Sequence, residues 1–251
     1  MCLGLDPDPG PAAAVTERCL ALIESAGGAC VAVKPQLACF ERLGPPGWEA
    51  LGQTIAAAQG AGLLVIADGK RGDVPHTASV YAENLVGTRG EARLGADAAT
   101  VNPLIGGDAL DAFLDVAEPA GAGLFVLVRT SNPGAADLLD LDAGGVPLYE
   151  RVAELVAARA ERLEGEAGLS GMGAVAGATE PRHLARLREL MPSAIFLIPG
   201  VGAQGGQASD LGPALGSHPA SILVAASRSI AGAPDPGQAA EELRGALWGL
   251  D

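Results

Sequence analysis

The sequence predicts a single-domain (β/α)8 barrel of the α/β class over residues 1–251. Three observations carry this expectation. Short apolar runs recur along the chain, and each is continuously apolar, as parallel strands covered on both faces must be. Stretches rich in Ala, Leu, Glu and Arg with helical spacing separate them, and strand–helix alternation argues for a parallel sheet. Eight runs in 251 residues give one unit per about 31 residues, the size of a βα repeat. A doubly wound sheet is the alternative architecture.

The predicted strands, in order, are 2–6 (CLGLD), 30–34 (CVAVK), 63–68 (LLVIAD), 98–102 (AATVN), 123–128 (GLFVLV), 172–176 (MGAVA), 194–199 (AIFLIP) and 221–226 (SILVAA). The clearest helices are 150–164 (ERVAELVAARAERLE) and 180–190 (EPRHLARLREL). Thr179, ahead of Glu180 and Pro181, reads as the N-cap of the second, with Pro in the first turn. No linker or composition break divides the chain.

Composition limits the classes of function. Aromatic residues are only 3%, so the core must be built from Ala, Val, Ile and Leu. The balance of 16 basic against 30 acidic residues gives a net charge of −14. Nucleic acid is therefore not an expected partner, because binding a phosphate backbone needs a basic face. A small anion in a locally positive pocket remains compatible. No 18-residue apolar run is present, so no transmembrane helix is expected. The start MCLGLDPDPG has neither a basic n-region nor a cleavage site, so no signal peptide is expected and the location reads as cytoplasmic. Cys2, Cys19, Cys30 and Cys39 form no CxxC pair and read as reduced thiols. His76, His183 and His218 are scattered and suggest neither a triad nor a metal site. Of the basic residues 14 are Arg and only two, Lys34 and Lys70, are Lys. In such a background a Lys is a candidate for what a guanidinium cannot do, which is to give up a proton.

In a barrel, chemistry sits at the C-terminal ends of the strands. Those ends carry Asp6, Lys34, Asp68 with Lys70, Asn102, Thr130 with Ser131, Thr179, Pro199, and Ser227 with Arg228. Both lysines are among them. The densest cluster is Asp68-Gly69-Lys70-Arg71-Gly72-Asp73. Residues two apart on a strand share a side, so Asp68 and Lys70 should both face the barrel mouth. Asp73 lies further out on a glycine-relieved turn, able to fold back or to reach a neighbouring subunit. A Lys between two carboxylates keeps its proton well above neutral pH, as a held proton donor does; a Schiff-base Lys needs apolar or cationic surroundings instead.

The second cluster, Pro199 to Gly206 (PGVGAQGG), contains a literal G-x-G-x-x-G. It follows the seventh strand, not the first, and about 20 residues on the chain reads SILVAASRS with no acidic ribose ligand. A dinucleotide fold is therefore rejected. The loops after strands seven and eight are instead the phosphate site of many barrels. Here they offer glycine N–H groups, Gln204, Gly205, Ser227 and Arg228, and the planar guanidinium suits a phosphate monoester.

Together these residues resemble the orotidine 5′-phosphate decarboxylase family, and more closely its second, bacterial subfamily. The resemblance runs through GLDP at 4–7, VKPQ at 33–36, DGKRGD at 68–73, VNPLIG at 101–106, TSNPG at 130–134, GAT at 177–179, PGVGAQGG at 199–206 and SRSI at 227–230. It implies a (β/α)8 barrel, usually a homodimer, that converts orotidine monophosphate to UMP without metal or organic cofactor. By position it implies that Lys70 protonates C6 as carbon dioxide leaves, with Asp68 beside the substrate carboxylate. Lys34 would bridge the ribose hydroxyls and the charged array, Asp6 would hold ribose hydroxyls, and Ser131 the pyrimidine edge. Gln204 would cover base and phosphate, with Ser227 and Arg228 on the phosphate. Asp73 and Thr77 would reach the partner subunit's site. The chain carries Ser227 where better-known relatives have Gly before the Arg. The segment 202–210 (GAQGGQASD) has the composition of a closing lid. Mg²⁺-dependent sugar-phosphate decarboxylases and aldolases of the wider suprafamily carry an acidic residue at the end of the second strand, where this chain has Lys34, which cannot bind a cation. A catalytically silent phosphate-binding barrel is the other alternative.

Overall fold

The computed structural model describes residues 1–88, 94–202, 205–216 and 218–250. Among them eight parallel strands close into a barrel in sequence order, β8 returning to β1. They are β1 (Cys2–Leu5), β2 (Ala32–Pro35), β3 (Leu64–Arg71), β4 (Ala98–Val101), β5 (Gly123–Arg129), β6 (Ser170–Ala176), β7 (Ala194–Pro199) and β8 (Ile222–Ala226). Each predicted apolar run overlaps one strand, and closure excludes the doubly wound sheet.

The described helices are α1 (Ala12–Ala26), α2 (Leu37–Glu41), α3 (Pro45–Gly60), α4 (Pro75–Leu85), α5 (Gly107–Ala120), α6 (Ala136–Leu139), α7 (Leu148–Ala157), α8 (Pro181–Leu190), α9 (Gly212–Leu215), α10 (Arg228–Ala231) and α11 (Pro236–Trp248). The predicted helix over 150–164 is α7 followed by a 3-10 turn, Ala160–Leu163. Thr179 does not cap α8: Glu180 is the N-cap residue, with extended backbone and no side-chain cap bond, while Pro181 takes the first turn as predicted. Proline disfavours helical backbone in the residue before it, which pins the boundary one residue later than Thr179.

The core has two parts. The larger lies between sheet and helices. The smaller fills the barrel with one residue from each strand: Cys2, Ala32, Ile66, Ala98, Phe125, Val175, Leu197 and Ala225. Three alanines leave room for the larger side chains, which is how so few aromatic residues suffice. Gly173 belongs to the same fit, since a Cβ there would lie 2.8 Å from the Phe125 ring.

This apolar layer fixes the site above it. Side chains two apart on a strand point the same way. One step up the inward-facing ladder therefore come Gly4, Lys34, Asp68, Thr100, Leu127, Gly177, Pro199 and Ser227. Polar side chains thus enter the barrel interior in this layer, at Lys34, Asp68, Thr100 and Ser227.

Candidate active site

A cavity of about 920 Å³ opens at the C-terminal ends of the strands, floored by Lys34, Asp68, Thr100 and Leu127, with Lys70 and Ser131 on its walls. A smaller one of about 160 Å³ shares Lys34 and Pro199 with it and is lined by Gly4, Asp6, Gly200, Ser227 and Arg228. The two adjoin at these shared residues, the smaller standing beside the larger as a side pocket.

Asp68 organises the floor. It is 3% exposed, and four groups converge on its carboxylate. The Lys34 ammonium pairs with Oδ2, to which Gln36 Nε2 also donates at 3.2 Å. Lys70 Nζ lies 2.6 Å from Oδ1, and the Thr100 hydroxyl donates to the same oxygen at 2.8 Å. Burial alone would push the Asp68 pKa up. The two ammonium groups and their hydrogen bonds outweigh it and hold the pKa down at about 2, so the carboxylate stays ionised at any physiological pH. For Lys34, burial works against the charge, but Asp68 and then Asp6 outweigh it and raise its pKa. Lys34 and Asp68 are enclosed, with side chains 12% and 4% exposed, whereas Lys70 is 42% exposed and offers its ammonium to the cleft.

The way Lys70 reaches this position differs from the simple strand alternation predicted. β3 and β4 are in register at Ala67 and Ala99 and again at Arg71 and Val101, so four steps of β3 span two of β4. The bulged residues include Lys70, the one non-glycine residue with positive φ (49°) among those described. A left-handed conformation with a Cβ costs about 1–2 kcal/mol, and such outliers concentrate at functional sites. The Lys70 N–H, displaced from the sheet ladder, is satisfied by Thr100 Oγ1 at 2.9 Å. At the far end of the bulge Arg71 pairs with Glu41, and its guanidinium lies 5.7 Å over the Tyr81 ring.

Across the cleft, Arg129 at the end of β5 is 6% exposed. It makes a two-pronged bond to Asp140 at 2.8 and 3.0 Å and donates to the Thr130 carbonyl at 2.8 Å. This clamp fixes the loop that carries Ser131. Gly177 lets the next strand end approach the same loop, because a Cβ there would stand 2.8 Å from Ser131 Cα.

In the side pocket, Arg228 and Ser229 open α10, so their N–H groups have no carbonyl behind them within the helix. Gly4 is required by close approach, since a Cβ on it would lie 2.7 Å from Ser227 Cβ. Gly200 and Gly202 turn the chain at positive φ (101° and 75°).

Of the residues singled out in the sequence, Lys34, Asp68, Lys70 and Ser131 share the main cavity, and Asp6, Ser227 and Arg228 the side pocket. Gly205 lines neither; its N–H bonds the Gly202 carbonyl at 2.9 Å. Gln204 lies outside the described residues, so the proposed lid over 202–210 is described only in part. Asp73 does not join the array on its own chain. Its carboxylate accepts from its own Val74 N–H at 2.7 Å, and Thr77 stands in the first turn of α4 away from both cavities. The sequence reading missed Gln36, Thr100 and the Arg129–Asp140 clamp. The inward-facing ladder, continued from Lys34 to Gln36 and from Ala98 to Thr100, holds the signal for the first two. Among the described residues no three His, Cys, Asp or Glu side chains gather as a cation site requires.

The sequence matches the family described as "Orotidine 5'-phosphate decarboxylase / HUMPS family" over residues 1–243. A relative from Rhodopirellula baltica named orotidine 5′-phosphate decarboxylase is 44% identical, covering 91% of this chain and 82% of the relative. One of the same name from Deinococcus radiodurans is 42% identical, covering 98% of this chain and 92% of the relative. The solved structure of Leishmania donovani OMP decarboxylase superposes with a TM-score of 0.82 at 38% identity, covering 99% of this chain and 92% of that one.

Proposed function

This chain belongs to the orotidine 5′-phosphate decarboxylase / HUMPS family, and from that premise we propose how its cleft turns orotidine 5′-monophosphate into UMP. The activity is that of a carboxy-lyase of pyrimidine nucleotide biosynthesis. The observation that carries the residue assignment is the Lys34–Asp68–Lys70 array at the floor of a cleft that adjoins the Arg228 pocket.

The C6–carboxylate bond breaks, carbon dioxide leaves, and the electron pair remains on C6. That carbanion has no adjacent carbonyl to spread into. Fixed positive charge at the carbon is the direct remedy, and Lys70 supplies it together with the proton that completes UMP. Asp68 holds the Lys70 ammonium and, facing the substrate carboxylate, disfavours the state before carbon dioxide departs. Lys34 and Asp6 take the ribose hydroxyls, Ser131 the pyrimidine edge, and Ser227, Arg228, Gln204 and Gly205 the phosphate side. Binding energy from the phosphate, remote from C6, serves to close the loop after β7.

The reading includes independence from metal. The position that would bind Mg²⁺ in the sugar-phosphate enzymes is Lys34, and its ammonium already neutralises Asp68. Orotidine monophosphate added to the purified chain in EDTA is expected to lose its characteristic ultraviolet absorbance as UMP forms. Turnover that stops with EDTA and returns with Mg²⁺ would overturn metal independence. UMP binding without turnover would indicate a silent barrel.

Gly4→Ala tests the phosphate pocket. The new methyl must displace Ser227, and KM for orotidine monophosphate is expected to rise about tenfold or more, with a smaller loss in kcat. An unchanged KM would remove Ser227 from the phosphate site.

We also propose a homodimer in the cytoplasm whose sites are shared, with Asp73 and Thr77 entering the partner's cleft. Val74, Val80, Leu104 and Ile105 support it as large apolar residues exposed on the elements around Asp73. No described helix is long and apolar enough to cross a membrane.

A further inference from the structure

We propose that Thr100 is a positioning residue for Lys70, holding the donor's backbone and its ammonium to one carboxylate through a closed ring of hydrogen bonds. The inference rests on the reading of Lys70 as the proton donor.

The ring has three members. The Lys70 N–H donates to Thr100 Oγ1 at 2.9 Å. The Thr100 hydroxyl donates to Asp68 Oδ1 at 2.8 Å, and Lys70 Nζ donates to that same oxygen at 2.6 Å. The direction of every bond is fixed by chemistry. A backbone N–H only donates and an ionised carboxylate only accepts, so the single hydroxyl proton must point to Asp68. No alternative arrangement of protons competes with this one.

Thr100 suits the task for a further reason. It is 1% exposed on β4, and a β-branched side chain has few χ1 states to choose from. Its hydroxyl therefore stands at a set height opposite the bulge. There it replaces the ladder partner that the register shift between Ala67 and Arg71 takes from the Lys70 N–H. Without the hydroxyl that N–H is orphaned, and the positive φ of Lys70 (49°) loses the bond that holds it. The ammonium then leaves its place while the rest of the cleft, set by other strands, stays intact. Thr100 itself need not touch substrate.

The test compares Thr100→Val, which keeps the shape and removes the hydroxyl, with Thr100→Ser, which keeps the hydroxyl. In Thr100→Val, kcat is expected to fall about 10- to 100-fold, the scale of one hydrogen bond to a charged group of the reacting array. KM and the Kd for UMP are expected to stay within about threefold, because uniform binding is untouched. Thr100→Ser is expected to retain kcat within about threefold. In an Asp68→Asn background, adding Thr100→Val is expected to cost much less than in the parent, as members of one network are not additive. Should Thr100→Val fail to fold, Thr100→Ala is read in the same way. Unchanged kcat in Thr100→Val, an equal loss in Thr100→Ser, or a rise in KM alone would each overturn the inference. A parent chain that does not turn over orotidine monophosphate would instead bring down the reading of Lys70 on which it rests.

Discussion

Replacing Lys70 with alanine is expected to lower kcat by about four orders of magnitude or more while leaving UMP binding measurable. Two contributions vanish together. General acid catalysis by a positioned group is worth about 10²–10⁴-fold, and a fixed charge at a developing anion about 10²–10³-fold. The product, UMP, has no carbanion to stabilise, so under the proposed assignment its affinity rests on ribose and phosphate contacts at Lys34, Asp6 and Arg228, which the substitution leaves in place. Lys70→Arg is expected to fail almost as badly. Its charge persists, but a guanidinium does not release a proton to carbon at neutral pH. The measurements are single-turnover decay of orotidine monophosphate absorbance and a UMP titration. A loss of less than about tenfold in Lys70→Ala would remove the residue from the proton-transfer step. A complete loss of UMP binding would mean that Lys70 holds the ligand rather than serving the reaction.

The strands were legible because a strand buried on both faces leaves an uninterrupted apolar run, and all eight runs overlap the observed strands. The polar floor was legible at Lys34, Asp68 and Ser227 because an ionisable or hydroxyl side chain ending such a run has few places to go except the barrel mouth. Thr100 was not. Threonine is a strand former, so within AATVN it reads as sheet rather than as a hydrogen-bonding group. The route of Lys70 was hidden for a different reason. The glycines at 69 and 72 announce a turn, yet the residue at positive φ is the lysine between them, held there by contacts with β4 that local sequence does not encode. Arg129 and Asp140 lie eleven residues apart and meet only once the loop after β5 folds back, so their clamp exists in tertiary structure alone. Thr179 had the composition of a cap, but the proline two residues on sets the boundary at Glu180.

Asp73 separates a site built by one chain from a site built by two. Its carboxylate is bonded to its own backbone at Val74, and among the described residues no cation lies within ion-pairing distance. Lys70, for its part, meets one carboxylate among the described residues, Asp68, and keeps an open side toward the cleft. If Asp73 completes the partner's array, Lys70→Ala and Asp73→Asn are both defective as homodimers, for opposite reasons. Co-expressed with two different tags and purified through both, the mixed dimer is expected to recover about half the activity of the parent, because in a two-fold assembly one of its two sites then has Lys70 from one chain and Asp73 from the other. The remaining site lacks both. Such recovery requires that the residues act across the interface, since no exchange of chains can repair two lesions that each disable their own chain. A mixed dimer no more active than the better of its two parents would mean that Asp73 serves the site of its own chain, and the isolated monomer would then be expected to turn over.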